Sequence, residues 1–204
     1  MTIRAVVFDI GGVLEITPAT GWPARWEAEL QLQPGELSQR LGHVWQGGSL
    51  GTISEAEVEQ SIGEMLGLDE ERVAELMQDL WAEYLGTPNA ELTAYFAGLR
   101  PRYQTAILSN SFVGAREKEH ERYGFGDLCD LIIYSHEEGL AKPDRRIFEL
   151  TCERLGVQPH EIVFLDDHAP HVAAARELGI HAILFQSTAQ AIAEIEERLH
   201  AESV

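Results

Sequence analysis

The sequence predicts an α/β protein with a doubly wound parallel sheet and an all-helical segment inserted after its first strand. Near the N-terminus, an apolar run ends in one acid and two glycines, as expected for a buried strand followed by a sharp turn. A purely helical pattern then covers residues 15–86. From residue 87 onward, strand and helix patterns alternate, which is typical of a parallel sheet covered by helices.

Composition limits the possible classes of protein. The chain has 204 residues, of which 45% are hydrophobic, enough for one large domain with a smaller insertion. Its 34 acidic and 15 basic residues give a net charge of -19, which disfavours nucleic acid as a partner. No apolar run approaches the roughly 20 residues that span a bilayer, so we expect no membrane association. With no secretory signal pattern and only two cysteines, Cys129 and Cys152, we expect a cytoplasmic protein.

The first strand covers residues 3–9, and helical periodicity follows at residues 23–32, 34–44, 54–66 and 69–84. Ser54 and Glu57 have the spacing of a capping box. Gly47, Gly48 and Gly51 suggest a loop between two of these helices. We therefore predict a cap domain at residues 15–86 and an α/β core domain formed by residues 1–14 and 87–204.

The core continues with helices at residues 89–99, 112–123, 145–155, 169–178 and 189–199. They alternate with strands at residues 103–108, 131–134, 162–165 and 181–185. Strands connected in this way form right-handed crossovers, and the resulting parallel sheet is covered on both faces.

Polar residues follow several of these strands, where chemistry occurs in open parallel sheets. Each signal is weak by itself, since Ser-Asn often forms a turn and Asp-Asp often caps a helix. A lysine, one of only two in the chain, precedes a proline between the third and fourth core strands. Together these residues predict a site at one edge of the sheet: Asp9, Ser109, Asn110, Lys142, Asp166 and Asp167.

These motifs resemble those of the haloacid dehalogenase (HAD) superfamily, most of whose members are phosphatases. The resemblance extends over the whole chain, with the motifs in the same order and a helical cap between the first two. It implies a Rossmann-like, HAD-like core. The segments that carry it are Phe8–Leu14, Leu108–Asn110, Lys142–Pro143 and Phe164–Asp167.

The resemblance also implies roles for these residues. Asp9 would be the nucleophile that forms an aspartyl-phosphate with a small phosphorylated metabolite. Mg²⁺ would be bound by Asp9, by the backbone carbonyl of Gly11 and by Asp167, with Asp166 close by. Ser109 and Asn110 would hold the phosphoryl oxygens, and Lys142 would neutralise their charge. Simple electrostatics agrees, because a carboxylate and a phosphate repel each other unless positive charge lies between them. Both a monomer and a homodimer are compatible with the sequence.

One residue departs from the family's pattern. Its phosphatases usually carry a second aspartate two residues after the nucleophile, as general acid and base, and here that residue is Gly11. A positioned proton donor contributes roughly 10²–10⁴ in rate. In one interpretation the chain is still a phosphatase. Its donor is then Glu15, His168 or His171, or its substrates have good leaving groups, such as acyl phosphates or sugar-1-phosphates.

Two other interpretations stay open. The chain could be a metal-independent haloacid dehalogenase, because those relatives also lack the second aspartate. They do not resemble this chain at Asp166 and Asp167, which argues for a metal and against dehalogenation. The chain could also be a non-catalytic protein that binds a phosphate ligand or a partner, which is disfavoured by the retention of Asp9 and Lys142. Cap residues that could contact a substrate, although packing is their more frequent role, are Trp22, Trp26, Arg40, Trp45 and Gln46.

Overall fold

The computed structural model describes residues 2–200. Its elements, in chain order, are β1 (Ala5–Phe8), β2 (Glu15–Ile16), α1 (Trp22–Glu29), α2 (Glu36–Arg40), α3 (Gly42–Ser49), α4 (Glu55–Leu66), α5 (Glu70–Leu85), β3 (Thr87–Pro88), α6 (Ala90–Gly98), β4 (Gln104–Ser109), α7 (Ala115–Tyr123), α8 (Phe125–Leu128), β5 (Leu131–Tyr134), α9 (Ser135–Glu138), α10 (Arg145–Leu155), β6 (Ile162–Asp166), α11 (Ala169–Glu177), β7 (His181–Leu184) and α12 (Thr188–His200).

Five parallel strands form the main sheet of the described chain, in the order β5-β4-β1-β6-β7. Strand β1 is central, and Phe8 at its end pairs with Ile107 of β4 and Leu165 of β6. The chain therefore leaves β1 between the ends of two neighbouring strands, at the point where the strand order reverses. The predicted doubly wound α/β fold is confirmed.

Helices cover both faces of the sheet. Val6 and Phe8 belong to a buried cluster that includes Phe96 of α6 and Ile195 of α12. Ala5 and Val7 point the other way, into a cluster with Phe148 of α10 and Val172 of α11. Because β1 is buried on both faces, its sequence is continuously apolar rather than alternating. Each large apolar side chain buried here contributes about 1.5–3 kcal/mol through removal from water.

The five helices α1–α5 lie between β2 and β3 and have a hydrophobic cluster of their own, to which Phe112 and Val113 of the α/β part also belong. The capping box is present, with the Ser54 N–H donating to Glu57 at 2.7 Å. Strands β2 and β3 pair as a short antiparallel ribbon where this segment joins the sheet. The domain boundaries at residues 14/15 and 86/87 stay a prediction, and each strand of the ribbon begins directly after one of them.

The expected loop at Gly47 and Gly48 is wrong, because both glycines lie inside helix α3. They allow close packing rather than a turn. The Val113 N–H donates to the Gly48 carbonyl at 3.1 Å, and a Cβ on Gly48 would lie 2.3 Å from the Phe112 ring. Only Gly51, with φ of 64°, adopts a turn conformation that favours glycine.

Two further observations concern membrane-spanning helices and the two cysteines. No helix within residues 2–200 combines the length and the apolar character needed to cross a bilayer. Cys129 and Cys152 are both buried free thiols.

Candidate active site

The carboxyl edge of the sheet collects the polar residues that the sequence placed there. Asp9 follows the central strand β1, Ser109 ends β4 and Asp166 ends β6. Lys142 reaches the same edge from the segment between α9 and α10. All four of these residues are buried. They meet because the strands beside β1 are parallel to it and end at the same level.

Lys142 is the centre of this arrangement. Its Nζ donates to Asp9 Oδ1 at 2.8 Å, to Asp166 Oδ2 at 2.7 Å and to the Leu108 carbonyl at 2.9 Å. An ammonium group has three N–H donors, so all of them are used. The side chain has 0% exposure, and a buried ammonium is tolerated only when it is paired in this way.

Asp9 and Asp166 respond differently to the same lysine. Burial raises the pKa of Asp9 to about 7, although Lys142 and the Ile10 N–H, which donates to Oδ1 at 2.8 Å, both oppose the rise. Burial also disfavours the ionised form of Asp166. There, however, His171, Lys142 and the His168 N–H outweigh it, and the pKa lies well below its ordinary value. Asp166 is therefore the permanently charged partner of Lys142.

Two carboxylates and one imidazole could together hold a metal ion. The ligand atoms of Asp9, Asp166 and His171 lie within 4.8 Å of one another. Within residues 2–200, Asp167 is not part of this group; it lies in the loop after β6 with its carboxylate against Gly12. A Cβ on Gly12 would be 2.1 Å from Asp167 Oδ2, and Gly12 has φ of 73°, so only glycine fits here.

This donor set fits a divalent magnesium ion. Asp9 and Asp166 share the single ammonium of Lys142, and Asp167 follows directly in the chain, so the site keeps negative charge. Mg²⁺ prefers carboxylate and carbonyl oxygens. Partial burial and the negative charge of the neighbouring Asp166 raise the pKa of Asp167, against the opposing effect of Lys142.

Ser109 and Asn110 differ in exposure and in hydrogen bonding. Ser109 is buried, with its hydroxyl 3.5 Å from the Asn110 carbonyl. The exposed Asn110 makes a reciprocal pair with the backbone of Lys142: Nδ2 donates to the Lys142 carbonyl at 2.8 Å, and Oδ1 accepts from the Lys142 N–H at 2.8 Å. Its side chain therefore fixes the lysine segment, a function that the sequence analysis did not anticipate.

The three residues considered as replacement proton donors occupy different surroundings. His168 is exposed, whereas the Nδ1 atom of His171 lies 3.1 Å from Asp166 Oδ1. Glu15 is buried, and its Oε2 accepts from the Thr17 hydroxyl at 2.7 Å. Burial raises the pKa of Glu15 to about 7.

A small cavity lies beside Gly11, and one acidic residue in it was missed by the sequence analysis. The cavity has a volume of about 110 Å³, and Glu119 of helix α7 lines it together with Glu15 and Tyr84. Glu119 is one charged residue among many in α7. The only available signal was its i, i+4 spacing from Ala115, which puts the two on the same buried helix face.

A second, larger cavity lies between the inserted helices and the sheet edge. It measures about 320 Å³ and is lined by Trp45, Leu80, Tyr84, Phe112 and Asn110, among others. None of the described residues that line it carries a charge. Of the cap residues named from the sequence, Trp45 lines this cavity, whereas Trp26 is buried in the helical cluster.

Comparisons with known proteins are consistent with this geometry. A family model described as haloacid dehalogenase-like hydrolase matches residues 3–179. Phosphatase MT3486 of Mycobacterium tuberculosis (strain CDC 1551 / Oshkosh) is 32% identical over 200 residues, covering 93% of this chain and 90% of that protein. Bifunctional epoxide hydrolase 2 of Sus scrofa is 28% identical over 219 residues, or 97% of this chain. The chain spans only 39% of the length of that pig protein.

A solved structure is similar over most of its length. The HAD family enzyme bt-2542 of Bacteroides thetaiotaomicron, in complex with magnesium and inorganic phosphate, superposes with a TM-score of 0.75. It is 25% identical, and the match covers 90% of this chain and 94% of that one.

Proposed function

The chain belongs to the haloacid dehalogenase-like hydrolase family, as its motifs predicted, and on this basis we propose that it is a Mg²⁺-dependent phosphatase of a small phosphorylated metabolite. The observation that carries the proposal is the buried Lys142, paired with both Asp9 and Asp166 at the end of the central strand. Phosphatase MT3486, and the magnesium and phosphate bound by bt-2542, support it.

In this proposal Asp9 is the nucleophile. A carboxylate oxygen of Asp9 forms a bond to phosphorus while the bond from phosphorus to the leaving oxygen breaks. Water then attacks the phosphorus of the aspartyl-phosphate, which releases inorganic phosphate and restores the carboxylate. The Asp9 backbone N–H donates to the Leu165 carbonyl at 2.9 Å, and this bond to strand β6 holds the nucleophile in place.

The metal would be held by Asp9, by the backbone carbonyl of Gly11 and by Asp167, with Asp166 close by. When bound, Mg²⁺ supplies positive charge that neutralises the phosphoryl oxygens and allows two anions to approach each other. Asp166 keeps Lys142 in place, and Gly12 leaves room for the Asp167 carboxylate.

Ser109 orients the transferring group, Lys142 balances its charge, and Asn110 holds the Lys142 segment from the end of β4. Phosphoryl transfer depends mainly on positioning and charge neutralisation, so a few fixed groups are sufficient. Because Gly11 offers no acidic side chain, we expect the best substrates to have good leaving groups, such as acyl phosphates or sugar-1-phosphates.

The metal requirement gives a direct test. We expect a panel of small phosphorylated metabolites to be hydrolysed with Mg²⁺, and the rate to fall by at least about 100-fold after chelation and dialysis. Added Mg²⁺ should restore it, as measured by phosphate release. Chloride release from 2-chloropropionate without metal would instead identify a dehalogenase. Tight binding of phosphate ligands by calorimetry, with no hydrolysis across the panel, would indicate a non-catalytic protein.

Because no charged residue lines the 320 Å³ cavity among the described residues, we expect this cavity to accept the uncharged part of the substrate. Leu80→Arg introduces a charge where the uncharged part of the substrate would lie, so we expect KM for 1-naphthyl phosphate to rise about tenfold or more. The value of kcat should change much less, because the residues at the sheet edge are untouched. Steady-state kinetics would measure both constants.

Leu68→Arg is a matched control for this variant. Leu68 is a half-buried leucine in the same helical segment, but it lines a groove between α4 and α5 away from the sheet edge. An equal rise of KM in both variants would contradict the assignment of the cavity to the substrate.

A further inference from the structure

The position of the missing second aspartate is open space. A Cβ on Gly11 would meet no atom within 4 Å, and Gly11 lines the 110 Å³ cavity described above. A water molecule occupies about 30 Å³ in the liquid, so the cavity has room for at least one. Ser109 lines it as well, so the cavity reaches the side chain proposed to orient the phosphoryl group.

Glu119 has an incompletely satisfied oxygen in this setting. Its side chain is buried, with 1% exposure, and Oε2 accepts a hydrogen bond from the Tyr134 hydroxyl at 2.5 Å. Oε1 is buried and accepts no hydrogen bond of normal geometry from any residue in 2–200, although the Tyr84 hydroxyl lies close enough to stabilise the charge of the carboxylate. A carboxylate oxygen accepts more than one hydrogen bond, so an incompletely satisfied one beside a polar cavity points to a water or substrate group.

The other candidate donors fit this role less well. Glu15 Oε1 also lacks a partner within the described chain, but it is packed against Gly86, where a Cβ would lie 1.7 Å away. The hydrogen bond from Thr17 to Oε2 further orients Glu15 toward the short ribbon. His171 interacts with Asp166, and His168 is exposed.

We propose that Glu119 takes over the function of the absent aspartate by exchanging a proton with the reacting groups through a water molecule held in the cavity beside Gly11. This inference rests on the proposed phosphatase activity. Because Glu119 acts through water, it is a positioning residue rather than one that contacts the substrate.

The proton balance covers both half-reactions. In the first, the carboxyl proton of Glu119 passes to the cavity water, which gives a proton to the leaving oxygen as its bond to phosphorus breaks. In the second, a water molecule attacks the aspartyl-phosphate, the bond between Asp9 and phosphorus breaks, and the proton of the attacking water returns to Glu119. Each cycle leaves Glu119 protonated as it began.

The electrostatic environment allows both forms of Glu119. Burial raises its pKa to about 7. The hydrogen bond from Tyr134 and the nearby hydroxyl of Tyr84 both act to lower the pKa, but burial outweighs them. The negative charges of Asp9 and Glu15 act in the same direction as burial. Both the acid and its conjugate base are therefore populated near neutral pH, as a group that alternately gives and takes a proton requires.

The test is a double-mutant cycle between Glu119→Gln and Gly11→Asp. We expect Glu119→Gln to lower kcat/KM, which reports the first half-reaction, about 100-fold on alkyl phosphates, which have poor leaving groups, and less than about tenfold on 4-nitrophenyl phosphate. We expect Gly11→Asp to raise turnover on alkyl phosphates, because the protonated carboxyl group of the new aspartate can donate directly to the leaving oxygen. In the Gly11→Asp background, Glu119→Gln should cost less than about threefold, since Glu119 is then bypassed.

A purely structural role of Glu119 would give a different pattern of rates. Equal losses of kcat/KM in both backgrounds, or equal losses of kcat/KM on both leaving groups, would overturn the proposal. Glu119→Asp, which shortens the side chain by one methylene, should give an intermediate rate and provides a second reading if Glu119→Gln folds poorly. Glu121→Gln, an exposed change on the same helix, should leave kcat unchanged.

Failure of the inference is distinguishable from failure of the proposed function. A wild-type protein that hydrolyses no phosphate ester would refute the phosphatase. Hydrolysis that is lost in Asp9→Asn but unaffected in both Glu119 variants would refute only the role of Glu119.

Discussion

Asp9→Asn is expected to lower the phosphatase rate by at least about 10³-fold with every substrate and at every metal concentration. The proposed mechanism needs a carboxylate oxygen that can bond to phosphorus, and an amide is too weak a nucleophile to replace it. The change is isosteric, and the asparagine Oδ1 can still accept from Lys142 and the Ile10 N–H. Since it also removes a buried charge, we expect Asp9→Asn to fold, and its midpoint of thermal unfolding to stay close to that of the wild type.

Phosphate release and thermal unfolding, measured on the same preparations, would separate chemistry from folding. Asp127→Asn is the matched control, because Asp127 is exposed in helix α8 and should tolerate the change without loss of rate. Activity of Asp9→Asn comparable to that of the wild type would remove Asp9 from its proposed role, and with it the covalent mechanism.

Lys142→Met is expected to reduce both activity and stability. The methionine has a similar length but no N–H groups, so Asp9 and Asp166 both lose their buried partner. Removing one member of a buried ion pair typically costs about 3–5 kcal/mol of the free energy of unfolding. We also expect kcat to fall by about 100-fold or more, because positive charge near the transferring phosphoryl group is lost.

Chemical denaturation would measure the change in stability, with and without Mg²⁺. A bound dication would compensate part of the missing charge, so Mg²⁺ should stabilise Lys142→Met more than it stabilises the wild type. Lys118→Met is the control for stability. Lys118 pairs with Glu55 at 2.6 Å, but both side chains are about one third exposed, and such pairs contribute about 1 kcal/mol or less. Equal destabilisation by the two substitutions would contradict the central role of Lys142.

Most secondary structure of the α/β part follows from local pattern. The strand at Leu131–Tyr134 and the helix at Arg145–Leu155 have the predicted boundaries, because each is an apolar or amphipathic run with a clear start and end signal. The errors lie where a distant contact overrides local preference. Gly48 suggested a loop, yet Phe112 packs against it and requires a helix surface without a side chain.

The features of the candidate site also divide into those that local sequence predicts and those that depend on distant contacts. The sequence alone determined which polar residues follow the strands, and thereby predicted Asp9, Ser109 and the Asp166–Asp167 pair, because the period and ends of strands depend on local side chains. Lys142 was predicted from the scarcity of lysine and from the proline that follows it. Only the tertiary structure decided that Lys142 pairs with two carboxylates and that Asn110 holds its backbone.

The burial of Glu119 was also decided only by the tertiary structure. Its helix reads as a solvated, charged segment, and no local pattern distinguishes Glu119 from its acidic neighbours. Its face becomes buried only when α7 packs beside β5 and the inserted helices. This packing places the Tyr134 hydroxyl on Glu119 and brings Glu119, Tyr84 and Gly11 around one small cavity. Local side-chain preferences determine elements and their ends, whereas the partners of a polar atom are decided by the packing of segments far apart in the chain.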